Sequence, residues 1–254
     1  MRRVILAFAA AAPVALVLLW TRAPFAGLAV LALSHALLLY PTLSPNAKWL
    51  GPVATHFTTS RRDVWLTIDD GPTDDTEAIL DLLDEHGVKA TFFVKGALVR
   101  AYPDRARAIA ARGHTIGNHS ETHPSATFWC LPPVSIAREI DAAAGAIEDA
   151  TGATTRWFRA PVGMKNPFVH PHLAARGLRL TGWSVRALDG VNTDIDAVAH
   201  RVIAGVHPGA IIAMHQGRLA GGRNAGSLAC LTRVVAELKS LGYTFVIPDD
   251  EQVQ

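Results

Sequence analysis

A small set of residues in this chain has the types and spacing that chemistry needs. Asp69 and Asp70 are adjacent and run into Gly71-Pro72, and His119 and His123 have three residues between them. Arg159 opens the segment Arg159-Ala160-Pro161-Val162-Gly163, Trp183 to Asp189 carries an aromatic and an acid, and Met214-His215 closes an apolar run. On a helical turn the two imidazoles would project from one face and reach one ion; taken alone, such a pair more often belongs to a solvated helix face. Adjacent aspartates repel if both have one task, so a pair at a strand end fits one acid neutralised by a cation and one held for reaction. A turn with two solvated acids is the plainer use of Asp-Asp-Gly-Pro. His215, alone after an apolar run, reads as structural until a partner is found for it.

The elements that must position these residues alternate along the chain. Val64 to Ile68 is a buried-strand pattern stopped by a turn, and Thr76 to His86 is in helical phase up to Gly87. Further strands are predicted at Ala90 to Val94, Thr115 to Gly117, Trp157 to Arg159, Leu178 to Val185, Ala210 to Met214 and Tyr243 to Ile247. Helices are predicted at Pro103 to Arg112, Ser135 to Ala150, Pro171 to Arg176, Ile195 to Ile203 and Leu228 to Leu241. Strand–helix alternation implies parallel strands covered by helices, either an open doubly wound sheet or a closed barrel. Asp69, His119, Arg159, Asp189 and His215 each fall at or just past a predicted strand end, where both architectures build active sites.

Composition bounds the rest. The chain has 254 residues, 50% of them hydrophobic, with 24 Lys and Arg against 22 Asp and Glu, a net charge of +2 too small and dispersed to argue for nucleic acid. The apolar excess is local: Val4 to Trp20 and Ala23 to Tyr40 are uncharged runs near the lower length for crossing a bilayer. Arg2 and Arg3 precede the first run, Arg22 stands in the connection, and Lys48, Arg61 and Arg62 follow the second, which favours a hairpin with both ends cytoplasmic. A cleavable secretory signal also fits the first run, and leaves the second unexplained. The expected organisation is a membrane anchor over residues 1–42, an ordered or semi-ordered linker over 43–61 rich in proline and small polar residues, and one catalytic domain over 62–254. Cys130 and Cys230 show no metal spacing and read as free buried thiols.

Taken together, the ordered segments resemble the polysaccharide deacetylase family, carbohydrate esterase family four, over roughly residues 61 to 250. The resemblance implies an α/β fold, an irregular (β/α)7 barrel, here preceded by two transmembrane helices. It implies Asp70, His119 and His123 as ligands of a divalent metal, with Asn118 and Pro124 framing the histidines; zinc is the default for two imidazoles and a carboxylate, with cobalt or nickel tolerated. Asp69 becomes the general base, paired with Arg159; His215 becomes the acid, supported by Asp189. Pro161, Gly163 and Trp183 are expected to shape the substrate wall. The implied reaction removes N-acetyl, or another small acyl group, from an amino-sugar glycan or a lipid-linked sugar. A glycan-binding scaffold on the same barrel is the alternative.

Several positions depart from the family pattern. Ile68 stands for a common Phe, Val162 for an aromatic residue, Arg186 and Gly190 for an acid and a Trp, and Ala213 for a Leu. They alter the pocket and put the sugar in question, not the chemistry. Phe128-Trp129 suits either stacking on a pyranose or loop packing. The expected location is a bacterial inner membrane within the cell envelope; the charge pattern puts the domain inside and the resemblance puts it outside.

Overall fold

The computed structural model describes residues 1–189, 191–192, 194–217 and 225–254; Gly190, one of the departures above, lies outside them. Two apolar helices, α1 (Arg2–Leu19) and α2 (Pro24–Leu43), come first, each long and apolar enough to cross a membrane by length and composition. Then follow β1 (Asp63–Gly71), α3 (Thr76–Glu85), β2 (Thr91–Val94), α4 (Gly96–Ala101), α5 (Pro103–Ala111), β3 (Thr115–Asn118), α6 (Pro133–Thr151) and β4 (Trp157–Phe158). The chain ends with α7 (Val169–Ala175), β5 (Arg179–Leu180), β6 (Val185–Arg186), α8 (Ile195–Gly205), β7 (Ile211–His215), α9 (Ala225–Ser240) and β8 (Thr244–Phe245).

All the paired strands are parallel, in the order β5-β4-β3-β2-β1-β7-β6, with β8 beside the start of β1. The two edge strands, β5 and β6, are consecutive in sequence. Five Cα steps separate Leu180 from Val185, at most about 18 Å of chain, so the sheet has to curl until its edges nearly meet. The result is an irregular barrel with one gap, the form the resemblance implied. Residues 53–57 help to fill that gap: Ala54 pairs with Thr181, His56 with Ala210 and Phe57 with Val253. The expected single strand from Leu178 to Val185 is therefore two, because Gly182 and Trp183 carry the chain from one edge to the other.

Alternation along β1 divides the core. Val64, Leu66 and Ile68 face outward, under helix residues such as Ile79, Leu80 and Leu83, where each buried side chain contributes roughly 1.5–3 kcal/mol. Trp65, in a separate inner cluster with Phe93 and Trp157, faces inward, its indole set edge-on to Trp157 at 5.2 Å and its Nε1 donating to Thr91 Oγ1. Thr67 follows on the inner face, and Asp69 stands at the mouth. Helix ends follow local chemistry: Asp194 caps α8 by accepting from the N–H groups of Asp196 and Ala197, and Gly152 ends α6 at φ +70°.

Phe128 is fully buried with Phe158 and Ile140, which decides the Phe128-Trp129 question for Phe128 in favour of packing. Cys130 and Cys230 are both free, but Cys130 is exposed rather than buried.

Candidate active site

The C-terminal ends of β1, β3, β4, β6 and β7 open on one cavity of about 180 Å³, lined by both aspartates, both histidines, Trp183 and His215 among others. Larger clefts exist elsewhere, including one of about 750 Å³ between His114, Arg156 and Asp250. That cleft lies at the foot of the barrel, where β3 and β4 begin, away from the C-terminal strand ends.

Strict alternation along β1 would send Asp69 and Asp70 to opposite faces. A register shift between Asp69 and Gly71, with Asp70 at φ +75°, turns both toward the mouth. Asp70 Oδ1 is buried without a hydrogen bond, 3.7 Å from His123 Nε2 and 3.2 Å from Lys95 Nζ. One ligand atom each from Asp70, His119 and His123 lie within 4.8 Å of one another, so the donor set fits a divalent cation with room for further ligands. Donating from Nδ1 to the Arg159 carbonyl at 2.8 Å fixes the tautomer of His119 and leaves the Nε2 lone pair facing the cavity.

The histidines do not sit on a helical turn. They lie on a loop, with Ser120 at φ +65° and His123 at φ +54°. Ser120 N–H bonds Asn118 Oδ1, His123 N–H bonds Ser120 Oγ and Thr122 bonds Glu139, so side chains replace the helical ladder. Pro124 next in sequence disfavours a helical His123.

Protonation states suit a cation site. Burial and then the neighbouring His119 charge push His123 down to about 4, and burial drives His119 below the ordinary imidazole range. Burial would raise Asp70, but the positive charges of His119, Lys95, His123 and His215 outweigh it and hold the carboxyl at about 2. At neutral pH the trio therefore offers two neutral imidazoles and one carboxylate.

Asp69 and Arg159 lie deeper, 3% and 0% exposed. Arg159 Nη1 donates to Asp69 Oδ1 and to Thr67 Oγ1, both at 2.7 Å, while Nη2 donates to the Gly182 carbonyl at 2.8 Å. Asp69 Oδ2 is left on the cavity side, 4.0 Å from His119 Nε2. Asp189 grips His215 twice, accepting from its backbone N–H at 2.7 Å and meeting its Nδ1 at 2.6 Å. Burial pushes His215 down, but the Asp189 hydrogen bond and charge, with Asp69 and Asp70 behind them, bring it up to about 9.

The three wall residues divide. Gly163 and Trp183 line the cavity, whereas Pro161 is buried and fixes the start of a 3-10 turn. Two guanidiniums approach the Trp183 ring, Arg159 at 5.8 Å and Arg186 at 5.1 Å from its centroid. Two groups were not foreseen: Lys95, which the sequence marks only by its place directly after a strand, and Val162 as a strained backbone at φ +48°.

An inward-facing trio of side chains fit to hold one cation, beside a buried carboxylate and a carboxylate-supported imidazole at the C-terminal mouth of a parallel barrel, is the site of a hydrolase. The chain belongs to the polysaccharide deacetylase family, whose model matches residues 56–181. It is 35% identical over 193 residues to a chitooligosaccharide deacetylase of Rhizobium leguminosarum bv. trifolii, covering 72% of this chain and 88% of that protein. It is 35% identical over 192 residues to the peptidoglycan-N-acetylglucosamine deacetylase PgdA of Listeria monocytogenes, covering 75% of this chain and 39% of that protein. Among solved structures, a family 4 carbohydrate esterase from Streptomyces lividans in complex with acetate superposes with a TM-score of 0.67 at 29% identity, covering 79% of this chain and 97% of that one. A pseudoenzyme of the same family from Bacillus anthracis also gives 0.67 at 29% identity, covering 75% of this chain and 65% of that one.

Proposed function

We propose that this protein is a membrane-anchored deacetylase that hydrolyses the N-acetyl group of an acetylated amino sugar in a chitooligosaccharide-like, peptidoglycan-like or lipid-linked glycan. The observation that carries the reading is the convergence of Asp70, His119 and His123 within 4.8 Å, next to Asp69 and His215 in one cavity. A divalent cation held there, zinc by the donor set, supplies Lewis acidity to the acyl carbonyl and acidity to the attacking water.

The chain's own residues do the rest. Asp69, its Oδ1 tied to Arg159, takes a proton from water through Oδ2 as the water oxygen bonds to the acyl carbon. Val162 N–H lies outside the hydrogen bonds of its turn, in which Gly163 donates to Ala160 and Met164 to Pro161. It is our donor to the developing oxyanion, and the left-handed backbone is the strain that aims it. His215 Nε2 protonates the departing nitrogen, with Asp189 on Nδ1 holding the ring and stabilising its charged form. The C–N bond breaks, and acetate and a free amine leave.

The anchor reading rests on α1 and α2, with membrane lipid as their partner and the bacterial inner membrane as the location. A second reading, a glycan-binding scaffold, is favoured by the likeness to the B. anthracis pseudoenzyme. Metal-loaded full-length protein incubated with chitotetraose and with peptidoglycan fragments separates the two. Acetate release, abolished by a chelator and restored by zinc, is the expected result. Silence on both glycans and on chitotetraose joined to a lipid, with full metal occupancy by elemental analysis, would overturn the enzyme reading.

A further inference from the structure

The segment after α2 is built into the cavity wall. Lys165 is fully buried, and its Nζ donates to the Ser44 and Pro45 carbonyls, both at 2.8 Å. Its backbone N–H donates to Thr42 at 3.1 Å. No carboxylate pairs with this ammonium among the described residues; burial alone brings it down to about 8. Asn46 Nδ2 donates to the Trp183 carbonyl at 2.7 Å. Gly163, at φ +76°, leaves the space that Pro45 occupies: a Cβ there would fall 2.5 Å from Pro45 Cβ and 2.7 Å from the Trp183 ring. Pro45, Gly163 and Trp183 thus form one packed unit, two of whose members line the catalytic cavity.

This unit fixes the cavity's distance from α2. Asn46 is three residues beyond Leu43, the last residue of that helix, and three residues span at most about 11 Å. Tyr40 and Trp49, both exposed and with ring centroids 4.7 Å apart, stand at the same junction, and amphipathic aromatics of this kind sit at the headgroup level. Arg2 Nη1 adds a tie from α1 to the Pro167 carbonyl at 3.3 Å. A flexible linker of the same nineteen residues that separate α2 from β1 would instead let the domain range over about 25 Å.

We propose that Lys165 and Asn46 are positioning residues that fix the substrate wall to the end of α2, so that the enzyme takes its amino sugar at the bilayer surface, from a lipid carrier. The substrate half of this inference rests on the deacetylase and anchor readings above; the clamp does not.

The test uses zinc-loaded full-length protein in phospholipid nanodiscs, with chitotetraose either free or joined to a dialkylglycerol in the same disc. Amine release should favour the lipid-borne glycan by at least about tenfold in kcat/KM, a floor set below the roughly hundredfold or more that effective concentration can supply. Asn46→Ala and Lys165→Met should raise KM more than they lower kcat, and should speed hydrogen exchange in the peptide spanning residues 180–186. Asn46→Ala keeps the test sound if the lysine variant does not fold. Equal kcat/KM on the two substrates overturns the lipid-carrier assignment. Unchanged KM and exchange in Asn46→Ala overturn the clamp. Release from neither substrate overturns the deacetylase reading and the substrate half with it, while exchange still judges the clamp.

Discussion

Lys95 and a bound cation must compete for the same oxygen. Lys95 Nζ is 3.2 Å from Asp70 Oδ1, and the two side chains are 24% and 28% exposed. At that separation the attraction is about 5 kcal/mol at an effective dielectric of 20 and about 1.3 kcal/mol in bulk water. With a quarter of each group in solvent the value belongs near the lower bound, and we take about 1.5 to 2 kcal/mol. A cation that neutralises Asp70 forfeits that attraction and is repelled by the ammonium as well. Lys95→Met should therefore bind zinc about ten- to thirtyfold more tightly, at 1.4 kcal/mol per factor of ten. Losing Lys95 also removes one of the charges that hold Asp70 at about 2, yet a carboxyl starting so low stays ionised at neutral pH and does not offset the gain. Competition against a chromophoric chelator, read at neutral pH in low salt, measures the affinity directly. Zinc binding equal to or weaker than that of the parent would refute the reasoning and make Lys95 a strut that aims Asp70.

Asp69→Asn should keep its metal by elemental analysis and lose a hundredfold or more in kcat, about the scale of general-base loss; loss of metal as well would mean that the two aspartates have exchanged tasks. His123→Ala removes one of the three proposed ligands, so in dilute zinc its metal content should fall well below the parent's, and equal content would undo the ligand assignment. His215 is raised to about 9, so its acid form is present below that value, and kcat should fall as pH climbs through it. The same sign governs stability: the charged form's contribution is complete below the ordinary imidazole value of about 6.5 and is lost as pH rises through about 9. Asp189→Asn should bring the alkaline limb of the kcat profile to lower pH, and a limb that stays in place would remove Asp189 as the support of His215.

Strand ends carried most of the legible information. Buried runs such as Val64 to Ile68 and Ile211 to Met214 announce themselves by composition, and the first polar residue after each falls at the barrel mouth by topology alone. What stayed hidden depends on departures from regular geometry or on distant contacts. Period-two alternation cannot place two adjacent aspartates on one face; only the bulge at Asp70 does so. Helical spacing brought His119 and His123 together for the wrong reason, since their loop is held by Asn118, Ser120 and Glu139 side chains. The run from Leu178 to Val185 has strand composition throughout, and nothing local says that Gly182 and Trp183 must cross between the sheet's two edges. The proline-rich stretch after α2 reads as an ordered linker, but what orders it stays hidden, because its grip, Lys165 on Ser44 and Pro45, spans about 120 residues of sequence.

Likeness of fold does not by itself separate an enzyme from a scaffold, because the B. anthracis pseudoenzyme superposes as well as the S. lividans esterase does. The cost of the buried charges bears on the choice. Arg159, Asp69 and Asp189 are 0%, 3% and 1% exposed, and removing such ions from water costs several kcal/mol each before pairing, against a whole-domain margin of about 5–15 kcal/mol. Apolar residues of similar volume are often neutral or stabilising in such places, so a chain kept only to hold glycans has every route to shed them. Here the cost is met by directed hydrogen bonds: Arg159 uses its fork on Asp69, Thr67 and Gly182, and Asp189 uses both oxygens on His215. Each of those bonds leaves one atom free for the proton transfers proposed above, Asp69 Oδ2 or His215 Nε2, on a residue that lines the cavity. That is the arrangement proton transfer needs and passive binding does not.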